Sequence, residues 1–411
     1  LTDQVIIAGA GMVGLSLAIG LARHQIPVSI IDEHRDPPMQ RDFSVDNRCS
    51  AVTAGSAVVL KQFGVWDEVV RKAQPIWEIR VSDQARNPAR KSSLFLHFKA
   101  NDLPADALSP KQPLGYMVEN KILHHALFEK MINAPSIKYY GGVKVTKVEQ
   151  DQGQRQVKVF LSDQTNIQGN LLIAADGRHS KIRNMANIPV IRWAYQQSSV
   201  VFNIRHELPH RSVALEHFMP GGPLAVLPMC SQEGYRSAIV WTDKPDAASY
   251  LYKQDNQILA TLLQQHFSAT LGKIEIEGKK KIYPLSGLHA TRYINQRIVL
   301  IGDAAHVIHP IAGQGFNLGI RDCWALSQIL QEIQNLGLDY GQTALLQEYE
   351  KSRRPDNLLL IATTDFLDRL FSNRSVLLRH VRDAGMGMVD RMPSLKKILM
   401  KQAMGLLMGH P

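Results

Sequence analysis

Short apolar runs and helix-length stretches alternate from the start of the chain. Gln4-Val5-Ile6-Ile7-Ala8 is a β-branched apolar run that reads as a buried strand. An apolar stretch of helical length follows to about Arg23, and Val28-Ser29-Ile30-Ile31-Asp32 forms a second strand ending in a carboxylate. Two more buried strands are expected at 171–175 and 297–301. Between them lie strand-like runs at 76–82, 94–98, 198–205, 213–219, 224–228 and 237–242, separated by turns such as Pro220-Gly221-Gly222-Pro223. These runs predict a mostly antiparallel sheet inserted into an α/β fold. Phe218, Leu227 and Met229 are candidates to face an apolar ligand there, against the plainer reading that they fill the sheet's own core. From Gln342 onward the pattern is helical.

The turns between these elements carry chemistry. Gly9-Ala10-Gly11-Met12-Val13-Gly14 joins the first strand to its helix, and Asp32 ends the next strand 23 residues after Gly9. This is the strand–GxGxxG–helix–strand–acid order of a dinucleotide fold. Gly9 allows the tight turn, Gly11 admits a pyrophosphate, and Gly14 lets helix and strand pack closely. Asp32 supplies acceptors for ribose hydroxyls. The first unit alone does not separate FAD from NAD. Later, the fourth strand runs into Gly302-Asp303-Ala304-Ala305-His306, and His309-Pro310-Ile311-Ala312-Gly313-Gln314-Gly315-Phe316-Asn317 leads into another helix. Little side-chain bulk at a helix N-terminus suits close approach of a flat, electron-rich ligand. Asp303 stands where open α/β sheets bind ligands, with a simple turn cap as its bland alternative. His306 and His309 have metal-like i, i+3 spacing but no convincing third ligand, so no metal is expected. His124-His125 reads as the surface of a helix beginning after Asn120, and Cys323 as a small buried apolar residue.

Composition narrows the class. The 411 residues are 45% hydrophobic and 20% charged, an ordinary globular balance with room for two or three folding units. Three scattered cysteines, Cys49, Cys230 and Cys323, make no disulfide framework, zinc site or CxxxxC redox pair, and fit a reducing compartment. No apolar run is long enough to span a bilayer, and no signal peptide is apparent. The formal charge of +10 concentrates at the end, where residues 351–411 hold 11 basic and 5 acidic side chains. No nucleic-acid motif accompanies it. Six of the 13 methionines fall within 386–408, beside Leu395, Ile398, Leu399, Ala403, Leu406 and Leu407 flanked by Lys396, Lys397 and Lys401. Such an amphipathic segment fits either an anionic membrane surface or the chain's own core.

The GxGxxG segment, Asp176-Gly177 with its following Arg178, and Gly302-Asp303 stand in the order found in class A FAD-dependent aromatic hydroxylases. Within that group, 309–322, Lys351-Ser352-Arg353-Arg354-Pro355-Asp356-Asn357 and the tail resemble the ubiquinone-biosynthesis hydroxylases. The resemblance implies a Rossmann-like FAD-binding domain of the para-hydroxybenzoate-hydroxylase type. It divides the chain into FAD-binding segments 1–75, 110–185 and 285–340, a substrate unit at 76–109 and 186–284, and a helical region at 341–411. Gly9, Gly11, Gly14 and Asp32 would bind the ADP half of FAD. Arg48 would contact the flavin, with a solvated surface charge as its alternative. Asp176 and Gly177 would lie near the pyrophosphate, with a second role toward NAD(P)H. Gly302 and Asp303 would hold the ribityl chain, while Pro310, Ala312, Gly313, Gln314, Gly315, Phe316 and Asn317 would border the flavin ring. Pro310, Gly313, Gln314 and Gly315 are the flavin-adjacent candidates for catalysis, and no base is assigned. The implied reaction reduces the flavin with NAD(P)H, adds O2 to give a flavin C4a-hydroperoxide, and hydroxylates a polyprenylated phenol. Other ubiquinone-biosynthesis proteins, the inner-membrane surface and a cytoplasmic location are implied as setting. A hydroxylase of smaller soluble aromatics and a non-catalytic flavin-holding component remain open.

Overall fold

A computed structural model describes residues 4–35, 48–83, 94–102, 112–151, 153, 155–372, 397, 400–401 and 404–405. Val5–Ala8 lies inside a six-stranded sheet, parallel to Leu171–Ala174 on one side and Val28–Asp32 on the other. Ile298–Leu300 and Ile137–Gly141 extend it in parallel, and only the short Ile294–Asn295 runs antiparallel. Both inner strands are buried at every residue, because helices cover both faces of such a sheet. That explains their unbroken apolar sequences. Helix Met12–Arg23 packs against Gln314–Asn335, and these helices close over the carboxyl ends of the parallel strands.

The inserted strands form a second sheet of eight. Its order is His306–Val307, Ile274–Ala290, Val190–His206, Tyr235–Asp243, Gly222–Met229, Val213–Met219, Glu78–Asp83 and Leu94–Lys99. All neighbours are antiparallel except Val213–Met219 with Glu78–Asp83. One face is dry: Val200, Phe202, Leu224 and Ile239 are fully buried beneath helices Pro245–Lys253 and Asn256–Leu271. The expected run at 76–82 divides at Trp77. Gln74–Ile76 joins a separate small sheet with Cys49–Thr53 and Gly115–Glu119, and the rest joins the large one. Strand Ile274–Ala290 was not anticipated, since Gly278, Lys279–Lys281 and Pro284 break its apolar alternation. It stands through seventeen residues by pairing with Val190–His206, with ladder shifts near Pro284 and Gly278.

Helix Thr343–Ser372 packs on Gln314–Asn335 and reaches Val213–Met219 and Gly222–Met229. The tail contributes a finding of its own. Met400 and Met404 are buried with Ala54 and Leu114, and the Gly55 N–H donates to the Met404 carbonyl at 3.0 Å. Two tail methionines thus dock on the chain itself. Leu395, Ile398, Leu399, Ala403, Leu406 and Leu407 lie outside the described residues.

Candidate functional site

Three loops meet at the carboxyl ends of three adjacent parallel strands: Gly9–Gly11, Asp176–Gly177 and Gly302–Asp303. The first is shaped by its glycines in two distinct ways. Gly9 has φ +107°, and a Cβ there would sit 2.4 Å from the Ala175 carbonyl oxygen. At Gly14 a Cβ would meet the Gly9 carbonyl oxygen at 2.0 Å. Those two serve packing. Gly11 has nothing within 4 Å of its Cβ position, and as N-cap of Met12–Arg23 it brings no side chain to the helix's first N–H groups. The helix N-terminus therefore faces open space, as a pyrophosphate site requires.

Asp32 fastens this loop. Its Oδ2 accepts the Ala10 N–H at 2.8 Å and its Oδ1 the His34 N–H at 2.8 Å. Oδ1 also meets the His34 ring Nδ1 at 2.9 Å, which holds the carboxylate in place at the end of its strand. His124 is corrected from a surface residue. It is half-buried on helix Asn120–Ile132, and its Nε2 lies 2.9 Å from the Ala10 carbonyl, which requires an Nε2–H donor and props the loop from below. His125 is half-buried as well. Arg48 is exposed at the start of the Cys49–Thr53 strand, and its carbonyl accepts the Asn120 N–H. Asp176 caps: its Oδ2 accepts the N–H groups of Lys181 and Ile182. Burial raises its pKa, opposed by the Ser180 hydroxyl and these N–H groups. Beside it, Gly177 has φ +81° and open space at its Cβ position.

Asp303 does not cap a turn. It makes no hydrogen bond to any described residue and its side chain is exposed to solvent, yet the protein around it raises its carboxyl pKa. Desolvation is the larger cause, with His306 and Arg178 pulling the other way. Asp303 thus stands exposed to solvent at the strand ends with protein crowded around it. It is an unused acceptor, suited to polyol hydroxyls.

The loop opposite is built on the same plan. Gly313 is left-handed at φ +60°, with its Cβ position 3.0 Å from the Ala51 Cβ. It caps Gln314–Asn335 without a side chain, and Gly315 again faces open space. Pro310 is exposed, Gln314 is buried, and Phe316 is half-buried against the main core. Ala312 lies in the turn Ile311–Gly313. Asn317 points elsewhere. Its Oδ1 accepts from the Thr53 N–H and hydroxyl, while its Nδ2 donates to the carbonyls of Ala51 and Gly313. It clamps the glycine loop to the Cys49–Thr53 strand and has no capacity left for a ligand.

Sequence reasoning gave 351–357 no role, and the structure supplies one. Asp322, fully buried, accepts the Gly302 N–H at 3.0 Å and lies 2.6 Å from His306 Nε2 through Oδ2. Its Oδ1 accepts from Arg353 Nε at 2.9 Å, and Arg353 also donates to Asp356 at 2.6 Å and Asn357 at 2.9 Å. Desolvation opposes the Asp322 charge, but His306 and Arg353 win and hold its pKa at about 2. Helix Thr343–Ser372 is thereby locked to the turn that presents Asp303. His309 is equally committed: its Nδ1 accepts the Ile311 N–H and its Nε2 meets Gln197 Oε1 at 3.1 Å. Cys323 is buried, with its thiol on the Val13 carbonyl.

The open face of the large sheet borders this loop. Leu227 shares a cluster with Cys49 and Ala51, whose Cβ touches the Gly313 position. Leu227 is half-buried, whereas Phe218 and Met229 are closed off in the core.

Comparison with known proteins agrees with this geometry. A family model described as FAD binding domain matches residues 2–361. Ubiquinone hydroxylase UbiL of Rhodospirillum rubrum is 39% identical over 99% of this chain and 91% of its own. The 3-demethoxyubiquinol 3-hydroxylase of Escherichia coli is 32% identical over 98% of each. The crystal structure of p-nitrophenol 4-monooxygenase PnpA from Pseudomonas putida superposes with a TM-score of 0.76 at 18% identity, over 99% of this chain and 98% of that one.

Proposed function

Because this chain belongs to the FAD-binding-domain family, and within it groups with the ubiquinone-pathway hydroxylases, we propose that it hydroxylates the ring of a polyprenylated phenol. It is an FAD-dependent aromatic monooxygenase of ubiquinone biosynthesis that consumes O2. The observation that carries the reading is the arrangement at the strand ends. An unused carboxylate at Asp303 and the side-chain-free helix start at Gly11 stand at the ends of strands in one sheet, and the second such start, at Gly313, opens the helix that packs on the first. These residues fit FAD. Gly11 and the helix behind it would meet the pyrophosphate charge, Asp32 a ribose, and Asp303 the ribityl hydroxyls. Gly177 would keep the space clear, with Arg48 at its edge, while Gly14 and Gly302 let the neighbouring backbone and Val13 pack close. The N–H groups following Gly313, with Pro310, Ala312 and Gln314 around them, would stabilise negative charge on the ring edge. Bound FAD supplies O2 activation with electrons from NAD(P)H. The protein's share is orientation, exclusion of water and handling of the phenol proton. The division into FAD segments 1–75, 110–185 and 285–340 and substrate unit 76–109 and 186–284 belongs to the same reading.

The test compares product formation with reductant and O2 consumption, using a prenylated phenol and small soluble phenols. Coupled hydroxylation of the prenylated compound is expected. Coupled turnover confined to soluble phenols would sink the substrate assignment. Asp303→Ala removes a charged acceptor and should cost about 1.5–3 kcal/mol, roughly 10- to 150-fold in FAD affinity. Full flavin occupancy in the purified variant at low FAD would contradict the assignment.

No helix among the described residues is long and apolar enough to cross a membrane. We further propose that the basic C-terminal region meets an anionic inner-membrane surface on the cytoplasmic side, where a prenylated substrate and other pathway proteins reside. The charge excess of 351–411 supports this reading. Salt-sensitive co-sedimentation with anionic vesicles is the expected result.

A further inference from the structure

The strand Val213–Met219 alternates cleanly. His217 and Met219 face the helices, with His217 against His266 and Phe267. Ala214, Glu216 and Phe218 face the other way. Ala214 packs with Cys49 and Ala51, beside the glycine loop, and Phe218 with Leu367 of helix Thr343–Ser372. Glu216 stands between them. Register places it in one cross-strand row with Leu96 and Val81 on one side and Ala225, Val240, Val201 and, at the far end, Lys281 on the other. Five of its row positions are apolar. Most of that row is half-buried, while much of the opposite face is covered by helices Pro245–Lys253 and Asn256–Leu271. Glu216 itself is half-buried, and among the described residues it has neither hydrogen bond nor ion pair.

A lone carboxylate in an accessible apolar wall needs a ligand to justify it, because burying an unpaired charge is costly. We propose that Glu216 is the catalytic base of this site, taking the hydroxyl proton of a phenol laid along the row Val81–Ala225. This rests on the phenol-hydroxylase reading above. In the step, the phenol O–H bond breaks as a carboxyl O–H bond forms, and the negative charge moves from Glu216 to the phenol oxygen. The ring, now electron-richer, is the better nucleophile toward activated oxygen. Desolvation pushes the Glu216 carboxyl up to about 7. A base whose affinity for protons matches the working pH is the most effective kind.

Other charged groups on this side have their own partners or lie apart. Asp365 pairs with Arg369, Asp368 accepts from Gln197, and His309 is bonded to Gln197. Cys49 lies against Met229, and Asp83 holds the register position beside Phe218. Arg80 and His97 each bond Glu78 Oε2, and Arg80 and Glu78 stand at the opposite parity of their strand.

The test uses FAD-loaded enzyme, a prenylated phenol and reductant, with hydroxylated product followed from about pH 5.5 to 9. The wild-type rate should rise with pH through about 7, since the ionised carboxylate is the active form. Glu216→Gln should lower kcat by about 100-fold or more and erase that limb, with FAD occupancy and KM little changed. Glu216→Asp should restore part of the rate and the limb. An active wild type matched by Glu216→Gln at every pH overturns this assignment alone. A wild type that hydroxylates no phenol overturns the functional reading, and this one with it. If Glu216→Gln binds FAD less well, its rate is taken per FAD-loaded enzyme at saturating FAD, and a wild-type rate and profile there reject the role.

Discussion

Arg353→Met is expected to destabilise the protein by about 3–5 kcal/mol, the usual cost of removing one partner from a buried ion pair. Arg353 is 5% exposed and answers both Asp322 and Asp356, each also buried. Methionine fills much of the volume but leaves one carboxylate with His306 and the other with Arg321 across 3.3 Å. The loss should show as a Tm fall of about 3–6 °C in the FAD-free protein. The pH dependence carries the sign. In the wild type the Asp322 pKa is held at about 2, below its unfolded value, so its stabilisation is present above the unfolded value and fades as pH falls toward 2. Without Arg353 one of the two groups holding the carboxyl ionised is lost, while His306 and the Gly302 N–H remain, so its pKa should rise toward the unfolded value. The deficit should therefore be smaller near pH 4 than at pH 8. An equal deficit at both would show that lost packing, not lost charge, is responsible. FAD retention should fall as well, since Asp322 also anchors the Gly302 N–H beside Asp303.

How far the sequence revealed this site depended on the range of each interaction. The strands 5–8, 28–32 and 171–174 and the glycine loops were readable because period, turn chemistry and helix starts are local properties. Which glycines face open space, as Gly11 and Gly315 do, and which are packed, as Gly9 and Gly14 are, depends on the fold around them. Asn317 reads locally as part of a ligand loop, and its real work is done on Thr53, 264 residues away. Asp322 and Arg353 are 31 residues apart and meet only because two long helices pack. Their family resemblance was visible, but their chemistry was not. Strand Ile274–Ala290 was hidden by lysines and Pro284, which a long partner strand tolerates and a short window does not. Glu216 left a faint signal. An acid at the parity of Ala214 and Phe218 reads as one solvent-facing position in an otherwise apolar strand. Only the cross-strand row shows that its neighbours on that face are apolar.

Gly11→Val should abolish FAD binding while leaving the protein folded. The two effects separate because the space at Gly11 is empty of protein. Its Cβ position has no atom within 4 Å, and its backbone, at φ −71° and ψ 174°, is extended, which a β-branched residue accepts. The fold loses little beyond the modest preference for glycine over valine at an N-cap. FAD, however, must bring its pyrophosphate against the N–H groups that begin Met12–Arg23, and two methyl groups would stand in that approach. The purified variant should be colourless, with an FAD-free Tm within a few degrees of the wild type. Gly14→Ala is the contrasting control. Its Cβ would lie 2.0 Å from the Gly9 carbonyl oxygen, so helix and strand must separate and the fold itself should fail. A yellow, fully occupied Gly11→Val enzyme would move the pyrophosphate away from this helix. That result would leave Gly11 a turn residue and the open space above it unexplained.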